Sequence, residues 1–308
     1  MTDLHLQPFV LGGNTFGWTS DRKQSFAVLD AFVDRGGVCI DTADQYSEWV
    51  DGNSGGESET IIGEWLAGRK NRDRVQIATK VANLSTRKGL QPANIRAAVE
   101  DSLRRLQTDH LDLYYAHGDD TGVPQEDYMS VFDELVQEGK VREIGASNFT
   151  PERLRSAQTI AADNNLTGFT VSQDLYNLVE RDVEDTHLGV LAELGIVEVP
   201  FFSLASGFLT GKYRPTVRVD SARSDWVRHY VENERNQRLL AVLDNIAAAH
   251  RVEVAGIALA WLRQRPQVAA PLASARTVEQ LDPLFASAEI ELTDEEMEAL
   301  SNRSLECQ

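Results

Sequence analysis

Four residues in the N-terminal half of the chain have the types that proton transfer to a carbonyl requires: Asp41, Tyr46, Lys80 and His117. A phenol has a reference pKa of about 10, too high for an efficient acid at neutral pH. A lysine ammonium beside it favours the phenolate, and a carboxylate paired with that lysine keeps it charged and in place. An imidazole at the same pocket can orient a substrate oxygen by hydrogen bonding. No side chain supplies a hydride, so a carbonyl reduced at such a site takes it from a cofactor. Taken singly, each residue has an ordinary explanation, since a strand-end lysine is often a solvated tip and a lone histidine is often structural. Their meaning depends on whether the fold brings them together.

The elements that must do so are short β-branched runs alternating with longer amphipathic stretches, the pattern of βα units around a parallel sheet. Strands are predicted at Phe9–Leu11, Val38–Asp41, Val75–Lys80, Leu111–His117, Glu143–Ala146, Phe169–Gln173, Val197–Phe201 and Val268–Leu272. Helices are predicted at Gln24–Arg35, Glu57–Leu66, Pro92–Leu106, Glu126–Glu138, Pro151–Asn164 and Asp185–Leu194, with Asn236–His250 and Val254–Arg265 making an extra one late in the chain. A last helix falls near Glu295–Asn302. Thr150-Pro151 is a cap followed by Pro at the first helical position, and Thr293 to Glu296 has the form of a capping box. Eight such units give an α/β (β/α)₈ TIM barrel, one domain over residues 1–308, with extra helices and long loops on the C-terminal face. The polar, charged stretch from Arg214 to Asn233 is read as one of those loops.

A barrel of this kind carries its chemistry at the carboxyl ends of the strands. Asp41 ends the second predicted strand, with Tyr46 five residues on; Lys80 ends the third and His117 the fourth. Ser147 and Asn148 follow the fifth, Gln173 ends the sixth, Phe201 the seventh, and Ser274 and Arg276 follow the eighth. Three successive strand ends thus converge on one mouth.

Composition narrows the function. The chain has 308 residues, 42% hydrophobic and 25% charged, enough to bury a large core without disulfides or metals. Its 48 acidic against 30 basic residues give a formal charge of −18, a field that repels nucleic acid and anionic lipid. No apolar run is long enough for a membrane span, and the first ten residues do not read as a signal peptide. Two cysteines, Cys39 and Cys307, form neither a disulfide framework nor a zinc site, which suits a reducing, cytoplasmic compartment. Cys39 is read as core, and Gly12-Gly13 as a turn rather than a dinucleotide fingerprint. Asp119 and Asp120 beside His117 are too weak a pattern for a metal, and none is expected.

The segments Asp41-Thr42-Ala43-Asp44-Gln45-Tyr46, Gly56-Glu57-Ser58-Glu59, Ala78-Thr79-Lys80, Tyr115-Ala116-His117, Gly145-Ala146-Ser147-Asn148-Phe149 and Leu209-Thr210-Gly211-Lys212-Tyr213 occur in this order at the strand ends. Through them the chain resembles the aldo-keto reductase superfamily over nearly its whole length. The resemblance implies a tetrad in which Tyr46 donates the proton, Lys80 lowers its pKa, Asp41 holds Lys80 and His117 positions a small-molecule carbonyl. It also implies a nicotinamide cofactor lying across the barrel mouth. Ser147, Asn148 and Gln173 would hold the carboxamide and Phe201 would stack on the nicotinamide. Ser203, Leu204, Gly207 and Lys212 would follow the pyrophosphate, and Ser274, Arg276, Thr277 and Gln280 would meet the adenosine end. Arg276 favours NADPH (NADP⁺) over NADH, because a guanidinium pairs well with a 2′-phosphate.

Three departures from the family pattern stand out. Ser47 replaces the usual Gly after Tyr46 and is followed by a longer loop, Glu48 to Gly55, whose Trp49 is assigned to the substrate pocket. Phe202-Ser203 replaces Ser-Pro, and Asp282-Pro283 replaces Glu-Asn at the adenine end. Trp18, after the first strand, either lines the substrate pocket or plugs the barrel end, and Trp226 is either a lid or wall packing. A monomer or weak homo-oligomer is expected. Two other functions compete: a nicotinamide-binding regulatory or redox-sensor subunit, as among channel-associated relatives, and a metal-free hydrolase using Asp41 and His117. The second leaves Lys80 and Tyr46 without a purpose.

Overall fold

The computed structural model describes residues 2–217 and 219–305, so Cys307 lies outside the described residues. In chain order the elements are β1 (Val10–Gly12), α1 (Arg22–Asp34), β2 (Cys39–Asp41), α2 (Glu57–Arg69), β3 (Gln76–Val81), α3 (Pro92–Leu106), β4 (Leu111–Ala116), α4 (Gln125–Gln137), β5 (Val141–Ser147), α5 (Pro151–Asp163) and β6 (Val171–Gln173). They continue with α6 (Val183–Thr186), α7 (Leu188–Leu194), β7 (Val197–Glu198), α8 (Ser224–Glu232), α9 (Glu234–His250), α10 (Val254–Arg263), β8 (Leu272–Ala273), α11 (Leu281–Ala286) and α12 (Asp294–Leu305).

Local chemistry sets many of these boundaries. Asp21 and Gln24 cap α1 reciprocally, and the Thr150 hydroxyl accepts the Arg153 N–H at 3.3 Å at the start of α5. The Thr293 and Glu296 side chains each accept the other's backbone N–H, at 2.9 and 3.2 Å, completing the predicted capping box. Gly195 ends α7 with φ 69°, a left-handed turn that a side chain would resist.

All the strand pairs are parallel, in the order β7-β6-β5-β4-β3-β2-β1-β8. The ring closes through a narrow seam. Glu198 pairs with Val268, the Ala269 N–H donates to the Glu198 carbonyl at 2.8 Å, and the Leu272 N–H donates to the Pro200 carbonyl at 3.0 Å. The eighth strand therefore starts later than the sequence suggests. Pro271 has no N–H to give but its carbonyl accepts the Val10 N–H at 3.0 Å, and only Leu272 and Ala273 pair regularly with β1.

Inside the ring, Val10, Cys39, Ala78, Leu113, Tyr115, Val171, Val199 and Leu272 pack as a small core, and the larger core lies between strands and helices. This two-sided burial is what near-continuous apolar strands require. One predicted loop is partly helical. Within 214–233, α8 buries Val227 and Tyr230, and the Tyr230 hydroxyl donates to Glu180 at 2.8 Å. Two buried positions on a nine-residue helix are too brief a stripe to stand out from the charges around them. No helix among the described residues is long and apolar enough to cross a membrane.

Candidate active site

Strand register brings the tetrad together. Asp41 pairs with Ala78 and Lys80 with Tyr115, so Asp41 and Lys80 leave adjacent strands on the same inward side. The turn after β2 is tied down by β3: the Thr42 N–H donates to the Ala78 carbonyl at 2.8 Å and the Asp44 N–H to the Lys80 carbonyl at 3.2 Å. Ser47 occupies the left-handed region with φ 72°, and its buried hydroxyl donates to the Phe16 carbonyl at 2.7 Å. That bond holds a conformation which costs a non-glycine residue about 1–2 kcal/mol.

Lys80 is fully buried, and its ammonium donates to Asp41 Oδ1, to the Thr42 carbonyl at 2.8 Å and to Tyr46 Oη at 3.2 Å. The other Asp41 oxygen accepts from Gln173 Nε2 at 3.1 Å. Burial pulls the lysine pKa down, but Asp41 and Tyr46 outweigh it, so the net direction is up and Lys80 is charged. For Tyr46 burial raises the phenol pKa and Lys80 lowers it, with a net rise. The lowering influence expected of Lys80 is outweighed by burial, so the phenol stays protonated. His117 has its pKa held well below the ordinary value, first by desolvation and then by the Lys80 charge, so the imidazole is neutral. Its Nδ1 is buried and accepts or donates no hydrogen bond among the described residues. The rings of Tyr46 and His117 lie 6.2 Å apart at 71°.

These two rings line a pocket of about 600 Å³ at the barrel mouth, while Asp41 and Lys80 lie buried behind it. Of the residues the sequence assigned to cofactor contact, Ser147, Asn148, Gln173, Phe201, Ser203, Leu204, Gly207, Lys212, Ser274, Arg276 and Gln280 line the same pocket, while Thr277 does not. Several already have partners. Ser147 Oγ accepts from Asn148 Nδ2 at 2.8 Å, Ser274 Oγ donates to Asn14 at 2.7 Å, and Gln280 Oε1 accepts the Arg276 N–H at 2.9 Å. After Phe201, Phe202, Ala205, Ser206 and Gly207 all take positive φ, coiling the backbone tightly along the pocket wall. Asp282 is engaged by Arg35 at 2.7 Å, while Pro283 lines the pocket.

Trp18 and Trp49 both line the pocket, edge to face at 5.6 Å, and Trp226 on α8 stacks on Trp18 at 5.4 Å with 31° between the planes. The Trp49 loop is held to the β1 side by Asn53, which donates to the carbonyls of Gly17 and Ser47 at 3.2 and 3.0 Å. Asp119 is taken by Arg153 at 2.7 and 2.9 Å, and Asp120 accepts the Leu90 N–H at 2.9 Å. No group of three or more His, Cys, Asp or Glu placed to hold a metal occurs among the described residues.

Arg223 is a site residue that sequence reasoning missed. It sits just before α8, its guanidinium 5.4 Å from the centre of the Trp18 ring, with Nη2 buried and unpartnered. Arg223 and Lys212 are both held below their ordinary pKa, first by burial and then in part by neighbouring cations, Arg276 among them. None of Lys212, Arg223 and Arg276 has an ion-pair partner among the described residues. Three unpaired cations in a chain of charge −18 form a local site for anionic groups. Only their spacing in the fold reveals the third, since the sequence places Arg223 in a charged run.

The sequence pattern of the Aldo/keto reductase family matches residues 8–303. The chain is 34% identical, over 98% of its length and 93% of the relative's, to "Uncharacterized oxidoreductase YrpG" of Bacillus subtilis. It is 32% identical to "Norsolorinic acid reductase B" of Aspergillus parasiticus, over 97% of this chain and 81% of that protein. It is 29% identical to "Aryl-alcohol dehydrogenase GME11368" of Pestalotiopsis microspora, over 96% and 78% respectively.

Proposed function

The chain belongs to the Aldo/keto reductase family, and from that premise we propose that it is an NADPH-dependent oxidoreductase interconverting small aldehydes or ketones and their alcohols, with Tyr46 as the acid. The observation that carries this reading is the buried Lys80–Asp41 pair, whose remaining hydrogen bond goes to Tyr46 Oη at the wall of a pocket with three unpaired cations.

Those cations fit the phosphates of a dinucleotide, and Phe201 presents a flat ring at the inner end, near Ser147, Asn148 and Gln173. When bound, the nicotinamide supplies the hydride. Tyr46 gives its phenolic proton to the carbonyl oxygen as negative charge develops there. Lys80, 3.2 Å from Tyr46 Oη, stabilises the phenolate left behind, and Asp41 with the Thr42 carbonyl stops the ammonium from moving away. The neutral His117 imidazole orients the same oxygen as a hydrogen-bond donor without competing as an acid. Arg276 and its neighbours Lys212 and Arg223 favour a 2′-phosphate, hence NADPH over NADH. Trp18, Trp49 and Trp226 make part of the pocket wall aromatic, which suits flat aryl substrates, and one relative is named an aryl-alcohol dehydrogenase.

The test is consumption of NADPH with 4-nitrobenzaldehyde, run beside NADH. Turnover with a preference for NADPH is expected. Binding of NADPH with no turnover across aryl and aliphatic aldehydes would favour the sensor role instead.

A further inference from the structure

Asp174, the residue after β6, does not line the pocket, yet it holds three of the segments that do. Its Oδ1 accepts the backbone N–H of Asn148 at 3.0 Å, and its Oδ2 accepts the Ser172 hydroxyl at 2.5 Å. Its carbonyl accepts the N–H of Phe201 at 2.9 Å, and its own N–H donates to Glu198 at 2.9 Å. One nearly buried residue therefore links the ends of β5, β6 and β7.

The link to Asn148 bears on geometry directly. Asn148 has φ 59°, a left-handed conformation that asparagine tolerates but does not prefer. From that position its side chain donates to Ser147 Oγ at 2.8 Å and to the His117 carbonyl at 3.2 Å. An extended Asn148 would carry both side chains out of the pocket wall. The charge-assisted bond from Asp174 selects the left-handed turn. Phe201 is held differently, by a main-chain bond from its N–H to the carbonyl of residue 174, which any residue there would keep.

We propose that Asp174 is the positioning residue for the nicotinamide half of the site, its carboxylate setting Asn148 and, through the Asn148 side chain, Ser147. The assignment rests on the nicotinamide reading above. Asp174 touches nothing on the adenosine side of the pocket, where Lys212, Arg223 and Arg276 lie, so its influence is confined to one end of the ligand. Glu198 fits the role of second support: it is fully buried, and burial together with Asp174 holds its carboxyl well above the ordinary range, so it faces Asp174 as the neutral acid.

The confinement gives the test. Binding of NADPH and of 2′-phospho-ADP-ribose, which has the same phosphates and adenosine but no nicotinamide, is measured by calorimetry for wild type, Asp174→Ala and Asp174→Asn. Asp174→Ala is expected to weaken NADPH roughly tenfold, the scale of a lost hydrogen bond to a charged group, while the fragment stays within about twofold. Asp174→Asn keeps an acceptor for the Asn148 N–H and a donor for Ser172, and recovers most of the NADPH affinity. Equal weakening of both ligands, or of neither, overturns the positioning role. Asp174→Leu, close in shape but without an acceptor, carries the same comparison if the alanine variant does not fold. A wild type that binds neither ligand removes the nicotinamide reading itself, a result distinct from any difference among the variants.

Discussion

The barrel has a buried ion pair near each end. At the amino end, Asp112 in β4 accepts from Arg72 Nη2 at 2.7 Å and from the Ile77 N–H at 2.8 Å, and Arg142 Nη1 forms an ion pair with it at 3.0 Å. Arg72 places its other donors on Thr108, the Val75 carbonyl and the His110 carbonyl, each at 2.9 Å. Every bond of that network ends on a structural group. At the carboxyl end, Lys80 and Asp41 are both fully buried, whereas the Arg72 side chain keeps 18% exposure, and the third ammonium proton goes to a phenol that faces a pocket. Both pairs overcome the cost of desolvation with extra hydrogen bonds. The two pairs differ most in where the last hydrogen bond goes: to a structural group at one end and to a pocket-facing phenol at the other.

That comparison breaks first at Tyr46. Tyr46→Phe keeps the ring and loses the proton, so kcat is expected to fall by about 10²–10⁴-fold while NADPH affinity, by fluorescence titration, stays put. Retained turnover would mean that the Lys80 pair has no outlet. At the other end Asp112→Ala leaves Arg72 and the Ile77 N–H without their acceptor. It should cost about 3 kcal/mol of stability, read as a lower urea midpoint, with kcat/KM of the folded fraction unchanged. A variant that keeps its midpoint but loses turnover would reverse the two roles.

Asp44 sharpens the contrast, as a buried carboxylate whose oxygens accept no hydrogen bond among the described residues. Burial, and then Glu59, push its pKa up to about 7 against the pull of Arg105 and Arg87. The value in the fold lies above that of the unfolded chain. The stability contributed by the neutral form is therefore complete at acid pH, below the ordinary value of 3.8, and is lost as pH rises through about 7. Asp44→Asn stays neutral, so its Tm should gain on wild type as pH goes from 4 to 8. A difference in Tm that does not change with pH would place the Asp44 charge outside the energetics of the fold.

Much of this was legible in the residues. The βα rhythm gave eight strands, and capping residues such as Thr150 and Thr293 marked helix starts because they satisfy specific backbone N–H groups. The tetrad was readable because strand ends in a parallel barrel must share one face. The eighth strand was displaced because its run includes Pro271, which has no N–H to donate, so regular pairing with β1 covers only Leu272 and Ala273. Helix α8 was hidden because its two buried residues lie among charges. Arg223 and Asp174 were missed for a related reason: each is an ordinary polar residue whose partners, Trp18 for one and Asn148 with Phe201 for the other, are remote in sequence and meet it only in the closed ring.

The seam between β7 and β8 ties these regions to the behaviour of the whole ring. It is joined by one bridge and few backbone bonds, whereas β4 and β5 share a long ladder. Phe201 and Ser203 follow one side of the seam, and Ser274 and Arg276 follow the other. A dinucleotide gripping both sides would act as a clamp on the joint that local opening reaches most readily, and part of its affinity would reappear as cooperativity of the fold. On that linkage, occupancy and resistance to fraying rise together, and the empty barrel is the form most exposed to proteolysis.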